Sequence, residues 1–150
     1  MSRGEEAASQ QPPDGYEVAV RLLARRPHSE VELRRKLARR RCPADAVDEA
    51  VARVRRLGYL DDAAIARAIV AHRSGGRGLP AIAAELSARG VRGPEAAEAL
   101  AGVSRADQVA AAQRLVARMA GVDRRTVAGR LQRRGFTADV VRAALDLDLD

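Results

Sequence analysis

Reactive and bulky side chains are scarce in this 150-residue chain, which has one cysteine, no tryptophan, two tyrosines, one phenylalanine and a single lysine. The lone Cys42 excludes an internal disulfide and a cysteine-rich zinc site, which fits a reducing compartment, and it reads as a small buried hydrophobe. With aromatics at 2% of the sequence, there is little to stack on unpaired bases, so sequence-specific reading of single strands is not expected. No run approaches the roughly 18 consecutive apolar residues of a membrane span, and no charged-then-apolar signal pattern opens the chain. The expectation is a soluble, cytoplasmic protein with no membrane contact.

Catalytic constellations are missing as well. His28 and His72 lie far apart and neither belongs to an HExxH pattern, so zinc hydrolysis lacks a ligand set, and both are expected at the surface. The run Gly75, Gly76, Arg77, Gly78 has neither the GK[ST] ending nor the preceding strand of a phosphate loop. It reads as a flexible helix connection, with phosphate contact as the alternative. No Ser, Thr or Cys has a base spaced to activate it. No enzyme activity, cofactor or metal is expected.

What is present is a set of helix formers and arginine. Apolar residues make up 47% of the chain, and with so few rings the core must be built from Ala, Val, Leu and Ile, which suits closely packed helices. Basic residues number 27 against 20 acidic, a formal charge of +7, and clustered cations favour an anionic partner such as nucleic acid or an acidic protein face. Residues 16–60 hold 12 basic and 6 acidic side chains, residues 61–103 hold 5 of each, and residues 104–150 hold 9 and 6. The two ends are therefore basic and the middle is neutral.

Residues 1–15 carry no apolar periodicity and are expected to stay disordered. From Tyr16 onward the periodicity is helical and is interrupted by Pro, Gly, Ser and Asp, which divides the chain into nine helices. These fall into an internal repeat. Leu33 and Leu37 recur as Ile82 and Leu86 at an offset of 49, and again as Val127 and Leu131 at a further 45. Cys42, Val91 and Phe136 follow the second anchor by five residues each time, and Ala50–Val51 recurs as Ala99–Leu100 and Ala144–Leu145. Three helices per period is the mark of a stacked helical array. The expected architecture is all-α, with three tandem three-helix repeats over residues 16–58, 59–103 and 104–150 in an elongated, curved array. Gly90 and Gly135 sit just past a helix, where a left-handed residue closes the backbone. Arg41 holds that position in the first repeat, so its second helix is expected to end less tidily or to run on toward Pro43.

On the second helix, a turn of about 100° per residue aims Arg35 and Arg39 into solvent as a cationic pair. Arg40, Arg89 and Arg134 recur at helix C-termini, where they complement the macrodipole. Asp61 and Asp62 precede an apolar helix and read as N-caps, the alternative being contact with a basic partner.

The stretch from Gly58 to Val91, GYLDDAAIARAIVAHRSGGRGLPAIAAELSARGV, together with RLLARRPHSEVELRRKL, resembles the RecX family of recombinase regulators. The likeness covers residues 16 to about 145 and is most specific in Leu57–Asp62 and in the spacing of Arg73, Gly78, Ile82, Leu86 and Gly90. Ile65 departs from it where an aromatic is common, as does Arg41 where glycine is usual. The resemblance implies a right-handed or curved array of three-helix repeats that binds RecA filaments on DNA and restrains their ATPase, strand-exchange and coprotease activities. Expected partners are thus the RecA filament and, nonspecifically, single- and double-stranded DNA, met by a monomer. Candidate contacts are Arg34, Arg35, Arg39, Arg55, Arg56, Asp61, Asp62, Arg73, Arg77, Arg124, Arg125 and Arg133. A stand-alone helical DNA-binding module is the alternative function.

Overall fold

The computed structural model describes residues 13–146, and among them there are nine helices and no strand. They are α1 (Gly15–Arg25), α2 (Glu30–Arg39), α3 (Ala44–Arg56), α4 (Asp62–Arg73), α5 (Leu79–Ala88), α6 (Pro94–Ala101), α7 (Arg105–Ala117), α8 (Arg124–Arg133) and α9 (Ala138–Asp146). The chain forms two compact units, which divide after Asp62. Most of the tail expected over residues 1–15 lies outside the described residues. Of that stretch, residues 13–15 are described and are not disordered: the Asp14 carboxylate accepts the Tyr16 backbone N–H at 3.0 Å and caps α1, whose first residue, Gly15, is buried.

Three apolar clusters follow the repeat. In the first unit, α1 packs chiefly on α3, with α2 against both, around Leu33, Leu37, Val47, Val51 and Val54. In the second unit, one cluster gathers Ile82, Leu86 and Val91, and another gathers Leu115, Val127, Leu131, Phe136 and Leu145, with α7 packed on α9. The anchors picked out by the sequence repeat are all buried: Leu33, Leu37, Ile82, Leu86 and Leu131 are wholly inaccessible and Val127 is 3% exposed. Each such burial contributes about 1.5–3 kcal/mol. The middle triplet is the thinnest, since α6 has no fully buried residue and Ala99 and Leu100 are only half-buried where their counterparts are enclosed.

The second helix of every triplet ends alike. Cys42, Val91 and Phe136 donate their backbone N–H to the carbonyls of Leu37, Leu86 and Leu131 at 3.2, 2.9 and 3.2 Å. The residue before each is left-handed, with φ of 63° at Arg41, 81° at Gly90 and 90° at Gly135. The less tidy ending expected of α2 is therefore corrected: Arg41 takes the conformation that glycine takes elsewhere, because the buried residue after it must turn back onto the helix. An L-residue pays about 1–2 kcal/mol for that geometry.

The glycine run also differs from the flexible connection expected. The Gly78 N–H donates to the Arg134 carbonyl at 3.0 Å, and Arg134 Nη1 donates to the Gly76 carbonyl at 3.3 Å. A β-carbon on Gly78 would overlap the Gly135 carbonyl, and one on Gly135 would overlap Ala81. Backbone meets backbone here, which only glycine on both sides permits.

Helix starts show a second regularity. The Glu30 N–H at the start of α2 is accepted by Asp62 Oδ1 at 3.0 Å, and the Leu79 N–H at the start of α5 by Gln108 Oε1 at 2.9 Å. Glu30 and Leu79 stand at the repeat offset of 49. In both cases the first helix of the following triplet supplies the oxygen that satisfies an otherwise orphaned donor. The Gln108 side chain is buried for this purpose, and its Nε2 has no hydrogen-bond partner.

Candidate nucleic-acid and protein interface

In the first unit, α2 is capped by Ser29, whose Oγ accepts the Glu32 N–H at 3.1 Å, and it buries Leu33 and Leu37. The side chains that flank those two divide into paired and unpaired cations. Arg34 donates to Asp48 at 2.6 Å and to Glu30 Oε1 at 3.3 Å, and the Asp48 bond holds its pKa above the ordinary arginine value. Arg55 reaches Glu30 Oε2 at 2.8 Å, and Arg53 lies 3.7 Å over the Tyr16 ring. Arg35, Arg39 and Arg56 are exposed and have no ion-pair partner among the described residues. Beyond α2, Arg40 and Arg41 extend the Arg39 cation into an exposed run of three.

His28 is not the surface residue expected from the sequence. It is 2% exposed, with Nδ1 2.8 Å from the Arg26 carbonyl and Nε2 2.9 Å from Lys36 Nζ. An ammonium has no lone pair, so Nε2 accepts and Nδ1 carries the proton. Burial pushes the pKa of this imidazole down, and the nearby Arg26 and Lys36 charges add to the effect against the Arg26 carbonyl bond. Half-buried Lys36 thereby spends one of its ammonium donors on His28. His72 is exposed.

In the second unit, Arg73 grips Glu85, with Nη2 3.1 Å from Oε1 and Nε 3.0 Å from Oε2, and Arg89 joins Oε1 at 3.2 Å. Arg73 Nε donates its hydrogen bond to Oε1 at 3.3 Å, so its approach to Oε2 is an ion contact only, and Oε2 has no hydrogen-bond partner among the described residues. Burial alone pushes the Glu85 carboxyl up, but the guanidiniums outweigh it and hold the pKa below the usual range. Arg124 is bound to Asp146 at 2.6 Å and to the Leu145 carbonyl at 3.3 Å. Arg125 and Arg133 are exposed and unpaired among the described residues, and Arg77 is exposed with no ion-pair contact, its charge acting on Glu85 from a distance.

Of the twelve candidate residues, Arg34, Arg55, Arg73 and Arg124 thus brace the scaffold. Asp62 closes the start of α2, and Asp61 is exposed beside it. Six arginines, 35, 39, 56, 77, 125 and 133, remain as exposed cations with no ion-pair contact among the described residues. Leu57 and Tyr59, 49% and 54% accessible, are the exposed large hydrophobics among the described residues and flank the turn after α3. Sequence reasoning missed Arg118 and Arg130 and read Arg134 as a helix-dipole residue; their convergence on one hollow is tertiary. Among the described residues no group of three His, Cys, Asp or Glu side chains could hold a metal ion, and no helix is long and apolar enough to cross a membrane.

Family models match two parts of the chain, the first three-helix domain of RecX at residues 16–53 and the second three-helix domain of RecX at residues 61–100. The regulatory protein RecX of Xanthomonas oryzae pv. oryzae is 40% identical over 140 residues, covering 88% of this chain and 86% of its own length. That of Thermobifida fusca is 37% identical over 131 residues, covering 81% and 71%. In fold, the crystal structure of RecX from Lactobacillus salivarius matches with a TM-score of 0.79 at 22% identity, over 91% of this chain and 96% of that one.

Proposed function

Since the chain belongs to the RecX family of regulatory proteins, we propose that it regulates by binding a RecA filament and the DNA within it, restraining ATP hydrolysis, strand exchange and coprotease activity without making or breaking a covalent bond. The observation that carries this reading is the sorting of its arginines. Four candidate cations are bound by the chain's own carboxylates, while Arg35, Arg39, Arg56, Arg77, Arg125 and Arg133 are exposed with no ion-pair contact among the described residues.

Unpaired exposed guanidiniums keep their hydrogen-bonding forks available for phosphate or carboxylate. Contacts of this kind follow the nucleic-acid backbone rather than its sequence and weaken steeply with salt. Tyr59, exposed beside Leu57, adds an aromatic anchor of the type enriched at the centres of protein interfaces, which favours a protein partner alongside the DNA.

The test is ATP hydrolysis by RecA on single-stranded DNA, titrated with the chain and with an Arg35→Ala/Arg39→Ala variant. Hydrolysis falls with the parent, and the variant needs about tenfold more protein or above for the same effect, since a charge-assisted contact contributes about 1.5–3 kcal/mol. Unchanged hydrolysis at saturating parent protein refutes the reading. Tight duplex binding at physiological salt without any effect on the filament points instead to a stand-alone DNA-binding module.

A further inference from the structure

At the C-terminal ends of α7 and α8, the side chains of Arg118, Arg130, Arg133 and Arg134 line a hollow of about 430 Å³ floored by Leu115 and Met119. Among the described residues no carboxylate lines it. The ordinary reason for arginine at such a place is to satisfy and complement the last carbonyls of a helix, but here the backbone has closed the ends itself. The Arg134 N–H bonds the Arg130 and Leu131 carbonyls, Gly135 N–H that of Gln132, and Phe136 N–H that of Leu131; at α7, Arg118 and Met119 N–H groups bond Leu115 and Val116. Arg134 alone gives a side-chain donor to the backbone, at Gly76. Arg118, Arg130 and Arg133 have no acceptor within the described residues.

Arg133 lies back along its own helix, with Nη1 3.6 Å from where a β-carbon on Gly129 would stand. Four like charges gathered on two helix ends, with no counter-charge lining the hollow among the described residues and apolar Leu115 and Met119 on one side, make a region of concentrated positive potential. Planar forks approaching from two helices suit an oxyanion with several acceptor oxygens.

We propose that this hollow is a phosphate-binding site, held by Arg118, Arg130 and Arg133 and closed on one side by Arg134. The phosphate is either a group of the nucleic-acid backbone or part of a free phosphorylated small molecule; both present the same tetrahedral oxyanion. The inference does not depend on the recombinase reading, because it requires only an anion.

The full chain, an Arg130→Ala/Arg133→Ala variant and an Arg118→Gln variant are titrated calorimetrically with inorganic pyrophosphate and, in parallel, with a short labelled DNA duplex. Both variants change exposed side chains, and helix content by circular dichroism checks that they fold. The parent binds pyrophosphate, and each variant binds it at least about tenfold more weakly, as loss of a charge-assisted contact requires. A matching loss with the duplex assigns the site to backbone phosphate, and an unchanged duplex affinity assigns it to a free phosphorylated ligand; each supports the proposal. Pyrophosphate binding equal in parent and variants, or absent from the parent, overturns it. The Arg35→Ala/Arg39→Ala variant in the first unit is the control, weakening the duplex while leaving pyrophosphate untouched, so failure here is distinguishable from failure of the filament reading.

Discussion

Gly135→Ala tests most directly how the second unit is held together. Gly135 has φ 90°, its added β-carbon would run into the β-carbon and backbone nitrogen of Ala81, and the adjoining Arg134 carbonyl accepts the Gly78 N–H. Three costs follow: about 1–2 kcal/mol for a left-handed L-residue, about 1–3 kcal/mol for overpacking against α5, and about 1 kcal/mol if the Gly78 bond is stretched as the segments part. These act on one contact and do not simply add, so the expected loss is about 3–5 kcal/mol, a large share of a typical domain's stability. Gly121→Ala supplies the internal reference, because it repeats the left-handed penalty at φ 84° with no atom within 4 Å of the added β-carbon, and it should cost only about 1–2 kcal/mol. Urea unfolding followed by helical circular dichroism measures both, and the melting temperature of Gly135→Ala should drop by on the order of 10 °C. If Gly135→Ala costs no more than Gly121→Ala, the close approach of the two glycines does not stabilise this unit and the reasoning fails.

Arg41→Gly works in the opposite direction, since relief of the left-handed strain exceeds glycine's extra chain entropy, and stability should rise by about 0.5–1 kcal/mol in the same urea assay. His28 is buried as the neutral base with a depressed pKa, so its contribution is complete above the unfolded pKa of about 6.5 and is lost as pH falls from there through the lower folded value. Melting temperatures measured from pH 8 to pH 5 should therefore decline more steeply in the parent than in a His28→Gln variant. Glu85→Gln removes the anion shared by Arg73 and Arg89 and should cost about 1–3 kcal/mol, read as a lower urea midpoint with an unchanged slope. If backbone phosphate is the nucleic-acid contact, duplex affinity falls linearly on a log–log plot against salt, and Arg35→Ala/Arg39→Ala lowers the magnitude of that slope by about 2.

The sequence by itself determined the helical class, the threefold repeat and its anchors. Leu33, Leu37, Ile82, Leu86, Val127 and Leu131 are legible because helical burial is periodic and local: an apolar residue every three or four positions must face one side. The closing turn after each second helix was half legible. Glycine marks it at 90 and 135, but at 41 the buried Cys42 imposes the same left-handed step on an arginine, and propensity alone predicts otherwise.

Only the tertiary structure decided which cations are available. Arg34 and Arg35 are neighbours in sequence and alike in composition, yet Asp48, fourteen residues away, neutralises one and leaves the other in solvent. Asp62 and Gln108 close helices more than twenty-five residues before them, His28 disappears beneath Lys36, and four arginines from two helices surround one hollow. The physical reason is common to all of these. Periodicity fixes which face of a helix is buried, whereas a charge or a hydrogen-bond donor is satisfied by whatever distant group packing brings within about 3 Å of it, and a single sequence does not print that distance.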